Sequence, residues 1–226
     1  MCIRANGLNE RYEPFLMRRG IHRTFALPTG NANVFPGDKG TIIRPSSEHG
    51  FELVEATWGL QPYWAPRATY GKTFCYNARS EGSEEKSQGI EKMATYREPF
   101  KTARCIVPAS AFFERVGPKG EQHWFRFRKP DDEPFLFAGL WLGPNKWTEI
   151  PTYTIVTTAP PDGHIHDRIP VILEEGEDIA WMATEAPLEG LRALMTPRSD
   201  HQIIVEDFEP VVYKAKANKA VLIESD

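Results

Sequence analysis

The sequence has little cysteine. Cys2, Cys75 and Cys105 are an odd number, widely spaced. That spacing excludes a disulfide framework and a zinc ligand set. A reducing, cytosolic-type setting is expected: the nucleoid if the source is bacterial, the nucleus if it is eukaryotic. Long apolar runs are also missing, so no membrane span is expected. The N-terminus lacks the basic-then-apolar pattern of a signal peptide. No internal repeat, low-complexity tract or long linker divides the 226 residues. Net positive charge is absent too. The formal charge is −4 and the isoelectric point near 5.9, which argues against a protein that coats nucleic acid non-specifically.

What is present is a globular composition, 41% apolar and 26% charged. One domain over residues 1–226 is expected, with a peripheral tail from about 215. Nineteen prolines and 17 glycines punctuate short segments and favour strands over long helices. Residues 5–30 read as partly helical, and 31–36 as a turn-rich stretch. Strands are predicted at Thr41–Arg44, Phe51–Leu60, Phe74–Glu81, Arg104–Pro108 and Thr152–Thr158, with a short one at Val171–Leu173. Trp124–Arg128 alternates, as does Pro134–Leu142 in part, and the two read as a hairpin across Pro130–Glu133. Residues 82–103, Ile179–Ala183 and Pro187–Met195 read as helical. Ile203–Val205 and Val211–Lys214 are expected to close the sheet. The fold class is α+β: β-rich, with a curled, barrel-like mixed or antiparallel sheet and peripheral helices.

Charge is uneven along the chain. Arg4, Arg11, Arg18, Arg19 and Arg23 crowd the first 25 residues against Glu10 and Glu13, whereas Glu174–Glu189 carries six acids and no Lys or Arg. This suggests a basic face near Cys2 and a far end that repels phosphate. The alternative is an ordinary surface of mixed charge.

Chemistry starts at Met1-Cys2. Cys is small enough for Met aminopeptidases to remove Met1, which leaves an α-amine and a thiol on adjacent carbons. Reference pKa values of about 8 and about 8.5 keep a fraction of each nucleophilic near neutral pH. The amine can form a Schiff base with an aldehyde, and the thiol can then close a thiazolidine ring. With Met1 attached, the Cys2 nitrogen is an amide and cannot form an imine. Such chemistry needs a proton shuttle and a group that orients the nucleophile. Glu114, after Ala-Phe-Phe, is either an exposed turn acid or a buried carboxyl with a raised pKa. Asn77 could orient Cys2 or bond its own turn. His166, in His-Asp-Arg-Ile-Pro, is an acid–base candidate. His164 stands two residues away, but no third ligand is visible, so no metal is expected. Arg79 and Arg168 could fork onto phosphates or pair with nearby acids. Trp58 and Trp64 are stacking platforms for bases or core packing, and packing is the weightier reading for Trp58.

Together these stretches resemble the SRAP family (SOS response-associated peptidase; abasic-site-processing proteins). The resemblance runs through Met1-Cys2, Asn33–Pro36, Trp58–Trp64, Asn77–Glu81, Arg104–Ala109, Phe113-Glu114, Ala138–Trp141, Thr157–Ala159 and His166–Pro170. It implies a cofactor-free crosslinker of abasic sites in single-stranded DNA, with an associated lyase step and with junctions to duplex DNA left open as substrates. Cys2 would form the thiazolidine, Asn77 would position it, Glu114 would shuttle protons and His166 would assist ring opening and crosslink reversal. Arg4, Arg79 and Arg168 would grip phosphates, with Trp64 or Trp58 near the bases. A monomer is the default expectation. Two other readings compete: a cysteine (auto)peptidase with Cys2 as nucleophile, and a non-catalytic binder of single-stranded DNA. The chain departs from the family pattern at Ile3 (usually Gly), at Arg115 (usually Trp) and at Ile169 (usually Met). Arg115 offers either a phosphate contact or a partner that would lower the pKa of Glu114.

Overall fold

A computed structural model describes residues 3–30, 32–66, 75–82, 89–118, 121–161, 164, 166–198 and 202–209, and the backbone of 211–213 and 221–223. Cys2 lies outside the described residues, as do parts of the predicted segments at 74 and 83–88.

The longest apolar run, Phe135-Leu-Phe-Ala-Gly-Leu-Trp-Leu, has no polar face to give to water. It forms β10 (Phe135–Leu142), six of whose residues are buried in succession. Its neighbours are β7 (Arg104–Ala109) and the β-branched β11 (Thr152–Thr158), both buried throughout. β4 (Lys39–Ser46) and β5 (Gly50–Trp58) continue the sheet on the β7 side. β5 then pairs in parallel with β11, so the order β5-β4-β7-β10-β11 closes into a ring. β2 (Ile21–His22), β6 (Asn77–Arg79), β12 (Ile169–Pro170) and β13 (Ile172–Leu173) are short additions to it. The sheet is mixed, because β2, β6 and β11 each make a parallel pairing. The expectation of a β-rich α+β fold with a curled sheet therefore holds.

Alternation along these strands sorts the core into two clusters. Cys105, Val107, Phe135, Phe137, Tyr153 and Ile155 join one; Ile106, Leu136, Ala138, Leu140 and Val156 join the other. The second is covered by α1 (Glu13–Arg18), α2 (Arg97–Thr102), α3 (Glu177–Met182) and α4 (Leu188–Leu194). Gly139 stands where the sheet packs closely: a Cβ there would lie 2.8 Å from Val107 Cγ2 and 2.9 Å from Cys105 Sγ. Buried Arg104 donates to the carbonyls of Phe100, Lys101, Trp181 and Ala183, tying the ends of α2 and α3 to β7.

A second, antiparallel sheet has the order β14-β9-β8-β1-β3. Its strands are β1 (Arg4–Asn6), β3 (Asn33–Val34), β8 (Ala111–Val116), β9 (His123–Arg128) and β14 (Ile204–Phe208). Here the predicted hairpin is corrected. β9 pairs with β8 and β14, and β10 belongs to the other sheet. The physical reason lies in the two patterns: β9 alternates and keeps one face half-exposed, while β10 needs burial on both faces. The closing strands also differ from expectation. β14 does complete the sheet, but among the described residues β15 (Val211–Tyr213) pairs only with β16 (Val221–Ile223), which lies in the expected tail.

The basic N-terminal face is corrected as well. Arg19 pairs with Glu175 and Asp178 of the acidic segment, Arg18 with Glu133, Arg11 with Asp132 and Arg23 with Glu13. Arg19 alone of these reaches the acidic stretch and the other three pair with acids elsewhere, so this cluster follows the mixed-surface alternative.

Candidate active site

The site is built on β8. Successive side chains of a strand point to opposite faces, so Phe112 and Glu114 share one face, and Phe113 and Arg115 the other. Phe112 stacks on Phe127 of β9 with ring centroids 4.5 Å apart. Glu114 therefore sits on an apolar floor and is 1% exposed. Burial pushes its carboxyl up to about 7.

The loop after β11 lies across this floor. His164 stacks on Phe127, with centroids 5.7 Å apart. His166 Nε2 stands 3.5 Å from Glu114 Oε2. On the other side of its ring, Nδ1 is 2.9 Å from Asp167 Oδ1 and 3.1 Å from both the N–H and the carbonyl oxygen of Arg168. Burial lowers the His166 pKa, and the Asp167 charge opposes that shift. The pair thus holds a carboxyl that titrates near neutrality against an imidazole that favours its neutral form, which suits proton transfer at physiological pH.

The structure brings the His166–Pro170 and Asn77–Glu81 motifs together around the C-terminal half of β11. β12 pairs there on one edge and β6 on the other, with Thr157 opposite both Pro170 and Arg79. Arg168, 8% exposed, donates through Nε to Thr157 Oγ1 (3.2 Å) and through Nη2 to the Thr157 carbonyl (2.7 Å) and Glu81 Oε2 (2.8 Å). Glu81 also accepts from the Ala159 N–H at 3.1 Å. Burial pushes the Glu81 carboxyl up, but the hydrogen bonds from Arg168 outweigh it and hold it below its ordinary value. Asn77 and Arg79 are half-buried on β6, and the Asn77 carbonyl accepts from Tyr96 Oη.

Three of the residues expected at DNA hold intramolecular partners in this structure. Arg168 spends its fork on Glu81 and Thr157 and acts as an internal tie. Arg4 is fully buried on the face of the sheet opposite Glu114. Its guanidinium lies 4.2 Å from the Phe113 ring and 4.6 Å from that of Phe208, and it donates to Asn33 Oδ1. Trp58 is 1% exposed, stacks on Tyr153 and donates to the Tyr76 carbonyl, so neither ring face is open to a base. Trp64 differs: it and Tyr63 are exposed, and they line a 720 Å³ cleft with Arg97 and Lys101. Arg115 lies over Trp124 at 5.7 Å, on the face away from Glu114, and so does not lower that carboxyl's pKa. Among the described residues no cluster of three or more His, Cys, Asp or Glu could hold a metal.

Sequence reasoning missed Asp167 and Glu81 as site residues. Both stood inside quoted motifs. Their signal was a charge adjacent to an assigned residue, which carries no direction until the loop is folded.

The family model described as SOS response associated peptidase (SRAP) matches residues 1–215. The chain belongs to the SRAP family. It is similar to the abasic site processing protein YoqW of Bacillus subtilis (strain 168), at 32% identity over 195 residues, covering 82% of this chain and 81% of that protein. The abasic site processing protein YedK of Escherichia coli (strain K12) is 28% identical over 161 residues, covering 70% and 67%. Among solved structures, a Bordetella bronchiseptica protein superposes with a TM-score of 0.74 at 24% identity, covering 92% of this chain and 100% of its own. A Bacteroides thetaiotaomicron protein gives 0.75 at 21% identity, covering 92% of each. Both the Bacillus subtilis and the Escherichia coli relatives are named as abasic site processing proteins.

Proposed function

We propose that this SRAP chain captures abasic sites in single-stranded DNA as a covalent thiazolidine, using Cys2 after Met1 has been removed. The observation that carries the reading is the buried Glu114–His166 pair, set beside the strand that leads to the N-terminus. In the register of β1 on β8, Arg4 lies opposite Phe113, so the chain N-terminal of Arg4 runs on toward Glu114.

The steps balance without a cofactor or redox change. The Cys2 α-amine adds to the ring-opened sugar aldehyde to give a carbinolamine. Glu114, neutral below about pH 7, donates the proton that lets hydroxide leave as water. The resulting iminium carbon then takes the Cys2 thiolate, forming the C–S bond and closing the ring, and the thiol proton returns to Glu114. His166 accepts and returns protons at the Glu114 carboxyl. β-Elimination of the 3′ phosphate from the Schiff base would be the lyase branch. Arg79 and the exposed Trp64 remain the candidates for DNA contact, and single strands suit an aromatic platform because every base has a π-face.

The test is intact mass of the protein before and after incubation with single-stranded DNA bearing one abasic site. Loss of Met1 and a denaturation-resistant adduct of protein plus DNA are expected, and no such adduct with Cys2→Ala. A stable adduct formed by Cys2→Ala would overturn the reading.

A further inference from the structure

The His166 ring has an ambiguity that its own loop resolves. Nδ1 lies 3.1 Å from the Arg168 carbonyl oxygen, which would accept from Nδ1–H, and 3.1 Å from the Arg168 N–H, which would donate to a bare Nδ1. The backbone therefore offers both tautomers the same distance. Asp167 Oδ1, at 2.9 Å, is the nearest of the three partners and can only accept while ionised. The choice matters at the other nitrogen. If Nε2 carried the proton, it could only donate to Glu114 and could not receive the proton that the neutral carboxyl carries. If Nδ1 carries it, Nε2 presents a lone pair to Glu114 Oε2 3.5 Å away, a loose contact of the kind that tightens when substrate binds.

We propose that Asp167 is a positioning residue that holds His166 as its Nδ1–H tautomer, so that Nε2 receives the proton carried by Glu114. The transfer leaves imidazolium and carboxylate, with no change in total charge, and the imidazolium is held between Glu114 and Asp167. Among the described residues His164 is a further titratable group beside His166, and its Nδ1 accepts from the His166 backbone N–H; the N-terminal amine also acts on the His166 charge. Asp167 suits a positioning role without a structural one. Its side chain is 82% exposed, whereas that of His166 is 14% exposed, so removing the carboxylate opens no cavity.

This inference rests on the proposed function for its consequence in catalysis, but its physical content is read separately. The full chain, labelled with ¹⁵N-histidine, is observed by imidazole NMR at pH 8, with His166 assigned from a His166→Gln spectrum. The Nδ1–H tautomer is expected in the wild type and in Asp167→Asn, whose amide oxygen can still accept. In Asp167→Ala the preference for Nδ1–H is expected to be lost, with the Nε2–H tautomer appearing in the spectrum. Crosslinking of single-stranded abasic DNA should slow roughly tenfold in Asp167→Ala and stay near wild type in Asp167→Asn. Finding His166 in the same tautomer in the wild type and Asp167→Ala overturns the inference, whatever the crosslinking does. A stable adduct formed by Cys2→Ala overturns the proposed function and leaves the tautomer result standing.

Discussion

The two faces of β8 bury charge in opposite ways. On one face, Glu114 lies over Phe112 and Phe127 and responds by moving its pKa up to about 7. On the other, Arg4 lies between Phe113 and Phe208 and is equally inaccessible to water. A guanidinium cannot shed its proton, so Arg4 must be satisfied where it stands, and its partners include the rings of Phe35, Phe113 and Phe208 and the Asn33 amide oxygen. A carboxyl can neutralise itself, so the same degree of burial turns Glu114 into an acid poised near neutrality. One face is a support and the other, under the proposed function, a reagent, although the residues are neighbours in one short sheet.

The comparison breaks first at Glu114. Glu114→Gln should cut the initial rate of crosslinking to abasic single-stranded DNA by about 100-fold, because the amide keeps the shape and loses the transferable proton. Gel or mass quantification of the adduct checks this. Arg4→Ala should act on stability: about 3–4 kcal/mol lost in urea denaturation, from the vacated volume and the Asn33 acceptor left behind. If Arg4→Ala instead left stability unchanged and weakened DNA binding, the two faces would have exchanged roles.

Glu114 should also write itself into the pH dependence of folding. Its folded pKa is raised, so between pH 4.5 and about 7 the folded state binds more protons than the unfolded one. Stability should therefore fall as pH rises through that window, by about 2 kcal/mol, under a ceiling of about 3 kcal/mol for the full shift. Thermal melts of the wild type and Glu114→Gln at pH 5 and pH 8 sharpen the point, since the amide variant should lack that loss. Smallest is Arg115→Ala. Its guanidinium is exposed over Trp124, so about 0.5 kcal/mol is expected, with crosslinking unchanged. A large crosslinking defect there would place the substrate on the Phe113 face.

Particular residues show how far the sequence could be read. The β10 run and the β9 alternation were legible as strands, but the hairpin joining them was not there, since nearness along the chain says nothing about which face must be covered. Trp58 and Trp64 stand in one motif, yet Trp58 is enclosed and Trp64 exposed. Arg4 and Arg168 looked like phosphate grips because their charge is visible and their partners, Asn33 and Glu81, are remote in sequence. Glu114 and His166 were legible as acid–base candidates from residue type and setting, but the 3.5 Å between them was not.

By itself, then, the sequence determined the family, the β-rich class and the types of group available for chemistry, because these follow from composition, periodicity and motif order. The tertiary structure alone decided which arginines face water, how far the carboxyl of Glu114 moves, and which nitrogen of His166 meets it. Those properties depend on dielectric surroundings and on distances of a few ångströms between residues far apart in the chain, and no local pattern carries that information.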